Sequence, residues 1–138
     1  MTQTSNQQKF RLENFLIKES HIKRNPVKQG KFEIEIIPHG RIDKAKDLFN
    51  LHLIIELRDS NDSFNAKVHS IGIFKFSTTT LEKTLDNFFY INAPAIIFPY
   101  IRAYISALTS LSGLKTINLP VMNLTSLGKD LRNNTKEI

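Results

Sequence analysis

Residues 95–111 read AIIFPYIRAYISALTSL, and this stretch decides the fold. Its apolar residues Ile96, Ile97, Ile101, Tyr104, Ile105, Leu108 and Leu111 recur at helical spacing. They spread too far around the axis to form one narrow stripe, and only Arg102, Ser106, Thr109 and Ser110 are clearly polar. Pro99 is acceptable in a first helical turn or as a kink, Asn92-Ala93-Pro94 interrupts the chain before it, and Gly113 serves as a C-terminal cap. One sheet covers one face of a helix, so the surplus needs another helix or another subunit. The following amphipathic segment, Leu124–Leu131, is short, which favours self-association.

Upstream the period changes from helical to two. Phe10–Ile22 alternates with a phase change near Asn14, as a bulged strand does. Lys31–Ile36 puts Phe32, Ile34 and Ile36 on one face until Pro38-His39-Gly40 breaks the run. Leu48–Arg58 puts Phe49, Leu51, Leu53, Ile55 and Leu57 together. Asp59–Ser63 has turn chemistry, and Phe64–Phe76 forms a fourth strand whose second half is apolar on both faces. A short helix is predicted over Thr80–Tyr90. Strands followed by helices indicate an α+β domain, with an antiparallel meander or Greek-key sheet carrying helices on one side. Residues 1–9 read as a disordered arm, 10–131 as one domain and 132–138 as a frayed tail.

The chain has 138 residues, 41% hydrophobic and 23% charged, a globular composition. It contains no cysteine, which excludes disulfides and thiolate chemistry. No apolar run is read as reaching the roughly 20 residues a bilayer demands, and the polar N-terminus lacks a signal stretch, so a cytoplasmic protein without membrane insertion is expected. The net charge of +6 leaves nucleic acid, anionic surfaces and acidic proteins as partners. Lys18, Lys23, Arg24, Lys28 and Lys31 form a basic cluster, read as a solvated edge in preference to a nucleic-acid stripe because aromatic residues are sparse there.

Catalytic groupings are missing. No glycine-rich phosphate loop, nucleophile elbow or nucleophile–base–orienter set is present. His52 and His69 can approach across neighbouring strands as a metal pair, but two solvent-facing histidines are the plainer reading. No enzyme activity and no cofactor or metal is expected.

At the helix entry, Pro94, Phe98-Pro99-Tyr100 and Arg102 resemble the signature of the SecB family of protein-export chaperones. Ile117-Asn118-Leu119-Pro120 with Val121 and Asn123 resembles a second family element. Phe64-x-Ala66-x-Val68 with Gly72-Ile73-Phe74 resembles its last strand, and Phe10–Pro26 its first. The resemblance implies a four-stranded antiparallel Greek-key sheet with a long and a short helix, assembled as a dimer of dimers. It also implies ATP-independent holding of unfolded client polypeptides in apolar grooves. The groove candidates are Phe74, Phe76, Phe88, Phe89, Tyr90 and Phe98. By the same correspondence, subunits meet at Ala66, Val68 and Ser70, joined by Ile101, Ile105 and Leu108 from the helix. The family's acidic sheet surface docks the SecA motor. Here the matching positions are Glu19, Lys23, Asn65 and Lys67, a reversal of sign that argues against SecA docking; the resemblance implies a role in protein export, with a dedicated client, as in toxin–antitoxin systems, as the alternative reading.

Overall fold

The structure, a computed structural model, describes residues 10–76, 87–120 and 123–137. Four long strands, β1 (Phe10–Arg24), β2 (Phe32–Asp43), β3 (Leu48–Asp59) and β4 (Phe64–Phe76), precede two helices, α1 (Asn87–Leu111) and α2 (Leu124–Asn133). A short strand, β5 (Thr135–Glu137), follows. The sheet order is β1-β4-β3-β2-β5. Strands β2, β3 and β4 run as consecutive hairpins and β1 lies antiparallel beside β4, which is the Greek-key arrangement.

The predicted bulge in β1 is present as a register shift between Leu12 and Asn14, and a second shift lies between Ile17 and Glu19. Alternation in β3 is strict: Phe49, Leu51, Leu53 and Ile55 are fully buried, and each odd position from 49 to 59 faces the helices. The β3–β4 turn is organised by Asp59. Its carboxylate accepts hydrogen bonds from the Ser63 and Gly30 backbone N–H groups, each at 2.6 Å, and from the Ser63 hydroxyl.

Strand β2 does not stop at Pro38-His39-Gly40 as expected; it pairs with β3 without a break from Phe32 to Asp43. The Pro38 carbonyl accepts from Asn134 Nδ2, and the Gly40 N–H donates to the Asn134 carbonyl. Pro38 thus turns its backbone away from β3, where a missing N–H costs no ladder bond. The expected frayed tail is likewise replaced. Arg132 and Asn133 complete α2, and Thr135–Glu137 pairs parallel with Gly40–Ile42 as a fifth strand. Asn134 is the tie, since it bonds β2 through both backbone and side chain.

Helix α1 begins at Asn87 and runs through Pro94 and Pro99, so Asn92-Ala93-Pro94 is helical, not an interruption. Each interior proline costs about 3 kcal/mol of helix propensity. The offset lies on the inner face, where Ala93, Ile97, Ile101, Ile105 and Thr109, four residues apart, are completely buried against the sheet. Most of the short helix predicted over Thr80–Tyr90 lies outside the described residues; its last four residues, 87–90, are the start of α1. Gly113 has φ +80, and the Leu114 N–H reaches back to the Thr109 carbonyl, the glycine-terminated ending anticipated. Asn123 caps α2 by accepting from the Ser126 N–H.

Tyr90–Leu111 is, by length and composition, apolar enough to cross a membrane, contrary to the reading that no run qualifies. Its sealed inner row is what a core helix presents to a sheet.

Candidate functional site

The far side of α1 is the most distinctive surface. Ile96, Pro99, Tyr100, Ala103, Ala107, Ser110 and Leu111 form an exposed row along the helix without a single charge. Tyr100 is 51% exposed and Leu111 87%. The surplus read from the sequence is therefore real, and α2 does not cover it. Beside this row runs β1, which among the described residues is an edge strand with one partner in the sheet. The two are tied by a Phe15–Tyr100 stack with centroids 5.2 Å apart and by a 2.8 Å hydrogen bond between Ser20 and Tyr104. A strand at the edge of a sheet next to an apolar helix face offers both backbone hydrogen bonds and apolar contact to an extended peptide.

A second opening of about 590 Å³ lies where α1 meets α2, lined by Ile91, Asn123, Gly128 and Arg132 among others. Gly128 keeps it narrow, because a Cβ there would lie 3.0 Å from the Tyr90 carbonyl.

The opposite, helix-free face of the sheet is polar and mixed. The positions corresponding to the family's motor-docking surface do share this face: Lys23 pairs with Asn65, His21 with Lys67 and Glu19 with His69. Lys23, Asn65, His21 and Lys67 line a depression of about 480 Å³ that also takes in Glu56 and Arg58. The basic cluster does not form one stripe. Lys23 belongs to this face, whereas Arg24 lies on the helix side near Gly113, within 3.1 Å of a Cβ built there.

At the centre of this face three histidines meet. His39 on β2 lies opposite His52 on β3, with rings stacked at 4.4 Å, and His69 Nε2 is 2.8 Å from His52 Nδ1. Burial, then the charges of His39 and His69 with Lys18 and Arg41, lower the His52 pKa to about 4. Burial also lowers those of His39 and His69. The pairing of His52 with His69 was legible in the sequence; His39 was missed because β2 was ended at Pro38. Carrying the hairpin register through that proline would have placed His39 across from His52.

Most of the residues expected for grooves and subunit contacts lie inside a single chain. Phe74, Phe76, Tyr90 and Phe98 are at most 6% exposed and pack in the core of one chain. Phe74 stacks on Phe10 at 4.7 Å, and Arg102 lies over the Phe98 ring. The side chains of Phe88 and Phe89 lie outside the described residues. Ala66, Val68 and Ser70 occupy the helix-facing positions of β4, and Ile101 and Ile105 are fully buried, so all five pack within the single chain; Leu108 is half-buried. Ser70 is satisfied internally, its hydroxyl donating to the Leu53 carbonyl at 3.0 Å. Apolar aromatic residues in a single sequence do not reveal which of them one sheet already covers. Ile96, Tyr100 and Leu111 are the side chains left over, and the absence of charge along that row was the available signal.

Residues 4–133 match the family model described as preprotein translocase subunit SecB. Among solved structures, the chain is similar to the Mycobacterium tuberculosis SecB-like chaperone Rv1957, solved in complex with a ChAD peptide from the Rv1956 HigA1 antitoxin. The identity is 16%, the TM-score 0.67, and the alignment covers 87% of this chain and 92% of that one. A Streptococcus agalactiae protein of unknown function aligns at 11% identity and TM-score 0.39, over 82% of this chain and 98% of that one. No curated protein matches the sequence.

Proposed function

Because the chain belongs to the SecB family, we propose that it is a nucleotide-independent holding chaperone, a binding protein and not an enzyme, acting in the cytoplasm on non-native polypeptide. The observation that carries this reading is the uncharged outward row of α1 beside β1, the edge strand of the described sheet. Copies assemble through that row as a dimer of dimers. The adjoining strand edge and the opening near Ile91 accept extended, apolar client segments without demanding a sequence. Several such weak sites on one assembly engage a long chain together, so modest local affinity becomes avidity. Client folding, by burying the same segments, drives release.

The reversed charge at Lys23 and Lys67 favours a dedicated client over docking of a basic motor tail. The Rv1957 chaperone is bound to a peptide from an antitoxin, which supports a polypeptide client of that kind for this chain. The test is light scattering of a chemically unfolded client diluted into buffer without nucleotide. Aggregation is expected to be suppressed at stoichiometric assembly. Unaltered scattering at a several-fold excess overturns the proposal.

A further inference from the structure

The histidine cluster on the helix-free face serves no step of polypeptide holding. Its one ligand-capable nitrogen per ring lies, in all three residues, within 4.8 Å of the others. Zinc–nitrogen bonds of about 2.0–2.1 Å in a tetrahedral site place ligand nitrogens about 3.3 Å apart, inside the span the rings already occupy. The three rings stand on β2, β3 and β4, and β3 and β4 are hydrogen-bonded on both sides, so the sheet fixes their spacing before any ligand arrives. We propose that His39, His52 and His69 form a three-nitrogen site for a borderline divalent transition ion of the zinc type, with the fourth position open to water on the outer face of the sheet.

The protonation chemistry suits a cation. Burial lowers the pKa of all three rings, which favours the neutral imidazole that ligates a metal. In the His52–His69 hydrogen bond one ring donates and the other accepts. On binding, the donor moves to its other tautomer and turns a lone pair to the ion, and no proton leaves the protein. Asn50, next on the same face of β3, has a buried Oδ1 without a hydrogen-bond partner, an acceptor of the type that fixes a ligating ring through its other N–H. The charged groups facing the cluster are Lys18, Arg41 and Lys67, which oppose a cation, and Glu19, which favours one beside His69. The site is therefore weaker than a closed, thiolate-rich structural zinc site.

The experiment uses the full chain without any polyhistidine extension, stripped with chelator. Cobalt(II) is titrated and followed by visible absorption, and Zn²⁺ is then added in competition. One ion per chain is expected, with ligand-field bands that Zn²⁺ abolishes. Zn²⁺ should also raise the thermal midpoint, as a ligand of the folded state does. His39→Gln and His69→Gln should each weaken binding by about 100-fold or more, beyond the effect of removing a group that merely supports a ligand. His21→Gln, on the same face but in β1, should leave it unchanged. Circular dichroism without metal confirms the fold of each variant, and His39→Gln carries the test if His69→Gln unfolds the chain. No saturable binding up to about 1 mM metal (a free energy near −4.1 kcal/mol), or binding that survives His39→Gln and His69→Gln, overturns the proposal. This site is independent of chaperone activity, so its failure leaves the holding function standing.

Discussion

Leu111→Asp tests whether the outward row of α1 is an interface. Leu111 is 87% exposed in one chain, so it contributes little to the folded monomer. Complete burial of a leucine contributes about 1.5–3 kcal/mol, hence about 2 kcal/mol per copy and about 4 kcal/mol for two copies related by a two-fold axis. At 1.4 kcal/mol per decade, about 4 kcal/mol weakens association roughly a thousandfold, and the added carboxylate, desolvated at a contact, weakens it further. Sedimentation velocity across a concentration series should show the wild-type chain as an assembly and the variant as smaller species. The variant's own thermal unfolding should stay within about 0.5 kcal/mol of the parent, as for a surface substitution. Ile96→Asp, near the other end of the row, should act in the same way. If both variants keep the wild-type mass at every concentration, or if the wild type is itself monomeric, the row is not where copies meet.

Gly72→Ala should destabilise the fold by about 1–3 kcal/mol, because the new methyl would lie 2.7 Å from Ile97 Cγ2; Ile97→Val should recover part of the loss in chemical denaturation. Thr109→Val should cost about 1–3 kcal/mol, since the buried Thr109 hydroxyl accepts the Ile117 N–H at 3.0 Å and donates to the Ile105 carbonyl at 2.9 Å. Burial pushes the Asp59 carboxyl up, but hydrogen bonds from the Ser63 hydroxyl and from the Gly30, Ser63 and Phe64 N–H groups outweigh it and hold the pKa below the ordinary value. The resulting stability is present above the unfolded-state pKa of about 3.9 and is lost as pH falls through the lower folded value. An acid titration of Asp59→Asn should accordingly show a shallower loss of stability over that window than the parent. Asn134→Ala should loosen β5 from β2, read as faster amide exchange at residues 135–137 with the core strands unaffected.

The alternation of β3 and β4, the bulge in β1, the glycine ending of α1 and the excess of apolar surface on α1 were all present in the sequence. Each follows from a local rule: side-chain period, backbone freedom or the area one sheet can cover. Local rules misjudged three places where a distant partner intervenes. Pro38 and Pro94 looked like breaks. Pro38 is tolerated because Asn134, far along the chain, takes up the outer edge of β2; Pro94 is tolerated because the buried row from Ala93 to Thr109 outweighs its propensity. The C-terminal residues looked frayed because nothing nearby in sequence shows that β2 has a free edge for them to pair with. The site divides the same way. Period and composition place a residue on a face, whereas only the packed chain shows that Phe74, Phe76, Tyr90 and Phe98 are already covered, and that His39, His52 and His69, dispersed in the chain, converge across three strands. Sequence spacing sets which way a side chain points; the pairing of remote segments sets what it meets.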